Sequence, residues 1–127
     1  DYTKDRQQFG KAVAVFQAVK HRAAQMLIKI ETARSAVYGA AFMADAQASD
    51  EELLMFAAQA RTEATEAALF ATRESIQLHG GVGFTWEFDP HMYFRRAQSA
   101  SQRLGSVAQW REAVAQQILG RAVKEFV

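Results

Sequence analysis

From Val15 to Ile76 the chain keeps one rhythm, interrupted once: apolar residues return every three or four positions. In the first run these are Phe16, Val19, Ala23, Met26, Leu27, Ile30, Ala33, Val37, Ala40, Ala41 and Ala44, the spacing of an amphipathic helix, predicted to end near Ala48. The interruption, Ser49-Asp50-Glu51-Glu52, supplies an N-cap followed by acids that suit the positive end of a helix dipole. The second run, Leu53, Leu54, Ala57, Ala60, Ala64, Ala67, Ala68, Ala71 and Ile76, is mostly alanine, which favours helix and lets neighbouring helices approach closely. Two adjacent long helices leave little chain for a sheet, and the expected fold class is all-α.

The second run ends in Gln77-Leu78-His79-Gly80-Gly81-Val82-Gly83-Phe84. Three clustered glycines free the backbone to take φ > 0 and to lie close to another group. A plain helix C-cap explains Gly-Gly without a ligand, and a dinucleotide loop fits poorly, because that motif follows a strand and opens a helix. From the residues alone a cap and a contact loop both stay open. Beyond the glycines, Pro90 fits the first turn of a third helix with Asp89 as its cap, covering roughly His91 to Arg103. Gly105-Ser106 breaks it, and Val107 to about Lys124 forms a fourth, with Val107, Trp110, Val114, Ile118, Leu119 and Val123 in register. Residues 1–10 are polar and read as a helix end or connector. No stretch alternates as a strand does, so no sheet is expected. The expected architecture is a single domain over residues 1–127, an antiparallel four-helix bundle with two long and two shorter helices.

Charged residues are 23% of the chain and the formal net charge is +1, which argues against a disordered tail or a nucleic-acid-binding polycation. There is no cysteine, removing disulfides and thiolate chemistry. No apolar run reaches the ~20 residues of a membrane span, and the N-terminus has no signal-peptide character, so a cytoplasmic protein without a membrane partner is expected. The first residue, Asp1, suggests a start inside a longer chain. Glu87, Asp89 and His91 do not share a helical face, and no metal site is expected. No catalytic residue is assigned: Ser99 and Ser101 read as surface positions, His21 and His79 as exposed or capping, and Arg34, Arg61, Arg73, Glu63, Glu66 and Glu74 as solvated faces.

Four stretches nevertheless form a specific combination: Tyr2-x-x-x-Arg6-x-Gln8-Phe9-Gly10, then Phe16-Gln17, then Gln77-Leu78-His79-Gly80-Gly81-x-Gly83-Phe84, then Arg95-Arg96-Ala97. In order and spacing they resemble the C-terminal helical domain of flavin-dependent acyl-CoA dehydrogenases, over nearly all of the chain. Phe84-Thr85-Trp86-Glu87 with His91 is similar to heteromeric members that oxidise sterol-derived thioesters. The resemblance implies a three-domain subunit, an acyl-CoA substrate, an electron-accepting flavoprotein, and a homo- or hetero-oligomer in which this domain contacts a neighbour's FAD. It implies that Arg6 and Gln8 meet the FAD diphosphate or its surroundings, that Phe9 packs beside the cofactor, and that Gln77, Gly80 and Gly81 meet the adenosine-diphosphate portion. Phe16 and Gln17 match a further cofactor contact. A guanidinium suits that role, since its fork of donors matches phosphate oxygens.

The chain departs from the family at one position. Counting from Arg95-Arg96-Ala97, the place where many members carry the glutamate base of a Glu-Gly-Thr sequence is Leu104, followed by Gly105-Ser106. Leucine accepts no proton, so the base for α,β-dehydrogenation is expected outside this chain. The resemblance implies that the Leu104 N–H still performs the family's other task at this position, hydrogen-bonding the thioester carbonyl, and so implies that Leu104 and Gly105 are substrate-adjacent. The rival expectation is a stand-alone helical interaction module, or an inactive partner subunit. Mass spectrometry of the native polypeptide containing the peptide Glu74 to Arg95 is expected to return a three-domain chain; a native chain of 127 residues would favour the interaction module.

Overall fold

The computed structural model of the chain describes residues 1–125. One helical turn, α1 (Tyr2–Asp5), leads into a two-residue strand β1 (Gln7–Gln8). This pairs antiparallel with β2 (Lys11–Ala12), placing Gln7 opposite Ala12 and Gln8 opposite Lys11. The hairpin corrects the expectation of no sheet. Its strands are too short to show alternation, and its turn is Phe9-Gly10 rather than the Asn-Gly or Asp-Gly that marks such turns in sequence. Both turn residues take positive φ, 54° and 72°, as the tight hairpin turn of right-handed twist requires.

A 3-10 turn at Val13–Val15 opens into the first long helix, α2 (Gln17–Asp45). It ends three residues before Ala48 because the chain closes a Schellman motif there: Ala48 N–H donates to Met43 O at 3.1 Å and Gln47 N–H to Ala44 O at 3.2 Å. Gln47 takes the left-handed position with φ 53°, where glycine is usual. The second long helix, α3 (Asp50–His79), starts as expected. Ser49 Oγ accepts from Glu52 N–H at 3.3 Å, and the Glu52 carboxylate accepts from Ser49 N–H at 3.3 Å, a reciprocal capping box. A 3-10 turn at Gly80–Phe84 follows.

A shorter helix, α4 (Pro90–Ser101), carries Pro90 in its first turn. Asp89 caps it through the main chain alone: Met92 and Tyr93 N–H donate to Asp89 O, and the Asp89 side chain makes no cap bond. The last helix, α5 (Val107–Glu125), has its own box, with Gln109 N–H donating to Ser106 Oγ at 3.3 Å and Ser106 N–H to Gln109 Oε1 at 2.8 Å. Among its expected apolar positions, Val123 lies outside the described side chains.

The chain is mostly helical, and α3 is the shared partner of the other long helices: α2 packs along it, and α4 and α5 also lie against it. Among the described residues, buried apolar side chains include Ala33, Ala58, Ala60, Ala67, Ile76 and Ala97. Alanine at these contacts brings helix axes close but buries little area per residue. Several polar groups expected on solvated faces are instead cross-links. Arg22 near the start of α2 pairs with Glu74 near the end of α3, Arg111 of α5 pairs with Glu66 of α3, and Arg61 donates to Ala100 O at 2.8 Å and to Arg103 O at the end of α4. Ser101 is buried, not superficial, and donates to Gln98 O at 2.7 Å. Ser49→Ala is expected to lower the stability of the intact protein by about 1 kcal/mol, measured by denaturant unfolding.

Candidate cofactor-binding site

Where α3 ends, the chain brings five of the expected site residues to one place. Arg6, Gln8, Gln77, Gly80 and Gly81 line a concavity of about 330 Å³, together with Tyr2, Val13, Leu78, His79 and Val82. This lies at the low end of small-molecule sites, ~300–1,000 Å³, and suits part of a large ligand better than all of it. Its two halves come from opposite ends of the sequence. Arg6 closes α1, donating its N–H to Tyr2 O at 2.9 Å, while its carbonyl accepts from Val13 N–H at 2.8 Å. Gln8 follows on β1, and Gln77 sits in the last turn of α3.

An aromatic cluster holds the halves together. The Tyr2 ring stacks on His79 with centroids 4.3 Å apart, and Tyr2 Oη donates to His79 O at 3.2 Å. Phe88 meets both rings edge-on, at 5.6 Å from Tyr2 and 5.9 Å from His79. His79 Nδ1 lies 2.7 Å from Ser75 O; a carbonyl only accepts, so Nδ1 carries the proton. His79 is therefore a half-buried packing residue rather than an exposed one, and its backbone caps the 3-10 turn that follows. The Tyr2-to-His79 separation in sequence hides this contact.

The three glycines have three different reasons. Gly80 takes φ 67°, which a side chain would strain. A Cβ on Gly83 would stand 2.9 Å from Ile76 O and 3.0 Å from His79 Cβ, so packing within the chain demands glycine there. Gly81 has neither constraint: a Cβ would meet nothing within 4 Å. The open backbone at Gly80 and Gly81 faces the same hollow as Arg6, whose guanidinium makes no ion pair or hydrogen bond among the described residues; nor do the side chains of Gln8 and Gln77. A free cation and two free amides around bare backbone form a donor set for an anionic, oxygen-rich group. That set fits a dinucleotide diphosphate.

The remaining expected residues lie elsewhere. Phe9, 90% exposed at the hairpin tip, meets Phe16 edge-on at 6.2 Å, and Gln17 is exposed at the start of α2. Neither Phe9, Phe16 nor Gln17 lines the concavity. Leu104 and Gly105 lie on the turn between α4 and α5, tied to Arg61, eighteen residues before His79 on α3; the helical rise makes that about 27 Å along the axis. His91 is buried, with its ring 4.7 Å from that of Trp86, while Glu87 and Asp89 are exposed. Among the described residues no three side chains of metal-ligating type come together, and no helix is long and apolar enough to cross a membrane.

Residues 1–119 match the family model described as acyl-CoA dehydrogenase, C-terminal domain. The chain is 43% identical over 106 residues to the acyl-CoA dehydrogenase IpdE2 of Mycobacterium tuberculosis, covering 84% of this chain and 31% of that protein. Among solved structures it superposes on the steroid ACAD Tcur3481-Tcur3483 with a TM-score of 0.88 at 30% identity, covering 96% of this chain and 33% of the other. It superposes on PigA in its FAD complex with a TM-score of 0.87 at 26% identity, covering 94% and 30%. The chain thus spans about a third of the length of these relatives. By the extent of the family match, this chain belongs to the acyl-CoA dehydrogenase family as its C-terminal domain.

Proposed function

We propose that this domain serves an FAD-dependent acyl-CoA dehydrogenase, binding the cofactor's diphosphate at the α3 terminus and completing an oligomer interface, with the catalytic base outside the chain. The observation that carries the reading is the unpartnered Arg6 guanidinium beside open backbone at Gly80 and Gly81. Arg6 neutralises and orients the diphosphate, Gln8 and Gln77 donate to its oxygens, and the bare glycine backbone lets it lie close. Phe9, with Phe16 behind it and Gln17 beside, offers an exposed ring for the cofactor or the neighbouring subunit to cover. Bound FAD supplies the hydride acceptor.

Arg61, which holds the α4–α5 turn, and His79 at this hollow are about 27 Å apart along α3, which favours a domain that faces two separate ligand regions. The α4–α5 turn borders the acyl thioester, and the α3 terminus meets the FAD diphosphate of a neighbouring subunit. The apolar faces left open on α2, including Leu27, Ile28, Tyr38 and Phe42 at 59–69% exposure, are the surfaces such an oligomer covers, with α2 to α5 arranged as an antiparallel four-helix bundle. Electrons then leave to a separate flavoprotein. The second reading, a non-catalytic partner subunit of a heteromer, is favoured by Leu104 itself, an exposed apolar side chain where the family's base belongs.

In the intact protein, Arg6→Ala is expected to weaken FAD retention about tenfold or more, the worth of a charged hydrogen bond, while Asp45→Ala leaves it unchanged. Flavin absorbance after gel filtration measures this, and equal flavin content in both variants overturns the site. The glycines provide an independent check. Gly81→Ala is expected to lose flavin with stability within about 0.5 kcal/mol of the parent, whereas Gly83→Ala is expected to lower the thermal midpoint.

A further inference from the structure

The turn between α4 and α5 holds Leu104 in the left-handed region at φ 59° with its side chain 81% exposed. Side chains rarely adopt this conformation, and the usual reward of burial is missing here. The surroundings nevertheless fix it from two sides. Trp110 of α5 donates its Nε1–H to Leu104 O at 2.8 Å. Arg61 of α3 donates through one nitrogen to Arg103 O and to Ala100 O. Gly105, at φ 94°, presses the turn onto the indole: a Cβ there would stand 3.3 Å from Trp110 Nε1 and 3.2 Å from Gln109 Oε1.

These contacts set the direction of a donor. In a trans peptide the N–H points opposite to the carbonyl of the same unit. With Arg103 O drawn toward Arg61 on α3, the N–H of Leu104 points away from α3; it makes no hydrogen bond among the described residues. We infer that Trp110 and Arg61 are positioning residues that clamp the Arg103–Ser106 turn so that the Leu104 N–H stands fixed as a hydrogen-bond donor to a thioester carbonyl. The inference rests on the acyl-CoA reading above. A donor aimed in advance loses nothing to reorientation when charge develops on the acceptor. Trp110 bonds the carbonyl of the Leu104–Gly105 peptide, the unit next to the one that carries the donor, and its loss should be felt by ligands that have a carbonyl to offer.

The test compares octanoyl-CoA with its thioether analogue, which lacks that carbonyl, using the intact flavin-loaded protein. Trp110→Phe keeps an aromatic ring but removes the N–H. It is expected to weaken octanoyl-CoA binding about tenfold, to leave thioether binding and flavin content unchanged, and to return the bound carbonyl stretch toward its solution frequency. Equal weakening of both ligands, or of neither, overturns the inference while leaving the cofactor site intact. Should Trp110→Phe fail to fold, Arg61→Lys provides the same comparison from α3. Failure of the parent protein to bind octanoyl-CoA overturns the thioester reading and this inference together, a result that flavin content alone does not produce.

Discussion

The contact on which the rest depends is the alanine-lined seam of α3. Because Ala58, Ala60 and Ala67 are buried there with Ala33 of α2 and Ala97 of α4, neighbouring helices can approach with little side-chain bulk between them. The same choice limits what the contact contributes, since a methyl group buries far less area than a leucine. Long apolar side chains are consequently turned outward on α2, and polar cross-links such as Arg22–Glu74 and Arg111–Glu66 fix helix against helix. A thin core of this kind gives accurate spacing more than it gives bulk stabilisation, which suits the proposed role of holding the ends of α3 and α4 in place.

That spacing matters because the candidate site is assembled from residues far apart in the chain. Arg6 and Gln8 arrive on a short turn and hairpin, Gln77 and the glycines at the end of a thirty-residue helix, and no strand or helix contains both halves. Tyr2 connects them through stacking and a hydrogen bond to His79, reinforced by Phe88. The Arg22–Glu74 pair works on the same region from the other side, joining the first turns of α2 to the last turns of α3. Tyr2 and His79 thus both line the hollow and hold its two halves together.

The helices were legible in sequence because their cause is local and repeated: apolar period, the Ser49 box and Pro90 each announce themselves within a few residues. What escaped depends on geometry that sequence carries faintly. The end of α2 uses Gln47 where glycine would have marked it, and the hairpin turns on Phe9, a residue that turn statistics would pass over. Arg61, Glu66 and Glu74 look like surface charges in a linear reading, because their partners lie 39 to 52 residues away. The site was legible in part, through motif order. The distinct reasons for Gly80, Gly81 and Gly83 needed coordinates, since three equal letters conceal a φ requirement, an open backbone and a steric necessity.

Phe9 and Leu104 bring these strands together. Each is an apolar residue held at positive φ, 54° and 59°, and each is more than four-fifths exposed. Left-handed backbone at a residue with a side chain costs about 1–3 kcal/mol, and exposing a large apolar group forgoes burial besides. The backbone is held by hairpin pairing at Phe9 and by hydrogen bonds around Leu104, but the side chains gain little: Phe9 meets Phe16 only edge-on, and Leu104 is bonded through its carbonyl. In the proposed subunit both exposed side chains would be covered by what lies against these turns. The two residues stand on separate hairpin and inter-helix turns, so the constraint was met twice, at the two places where this domain is proposed to face a cofactor and a substrate.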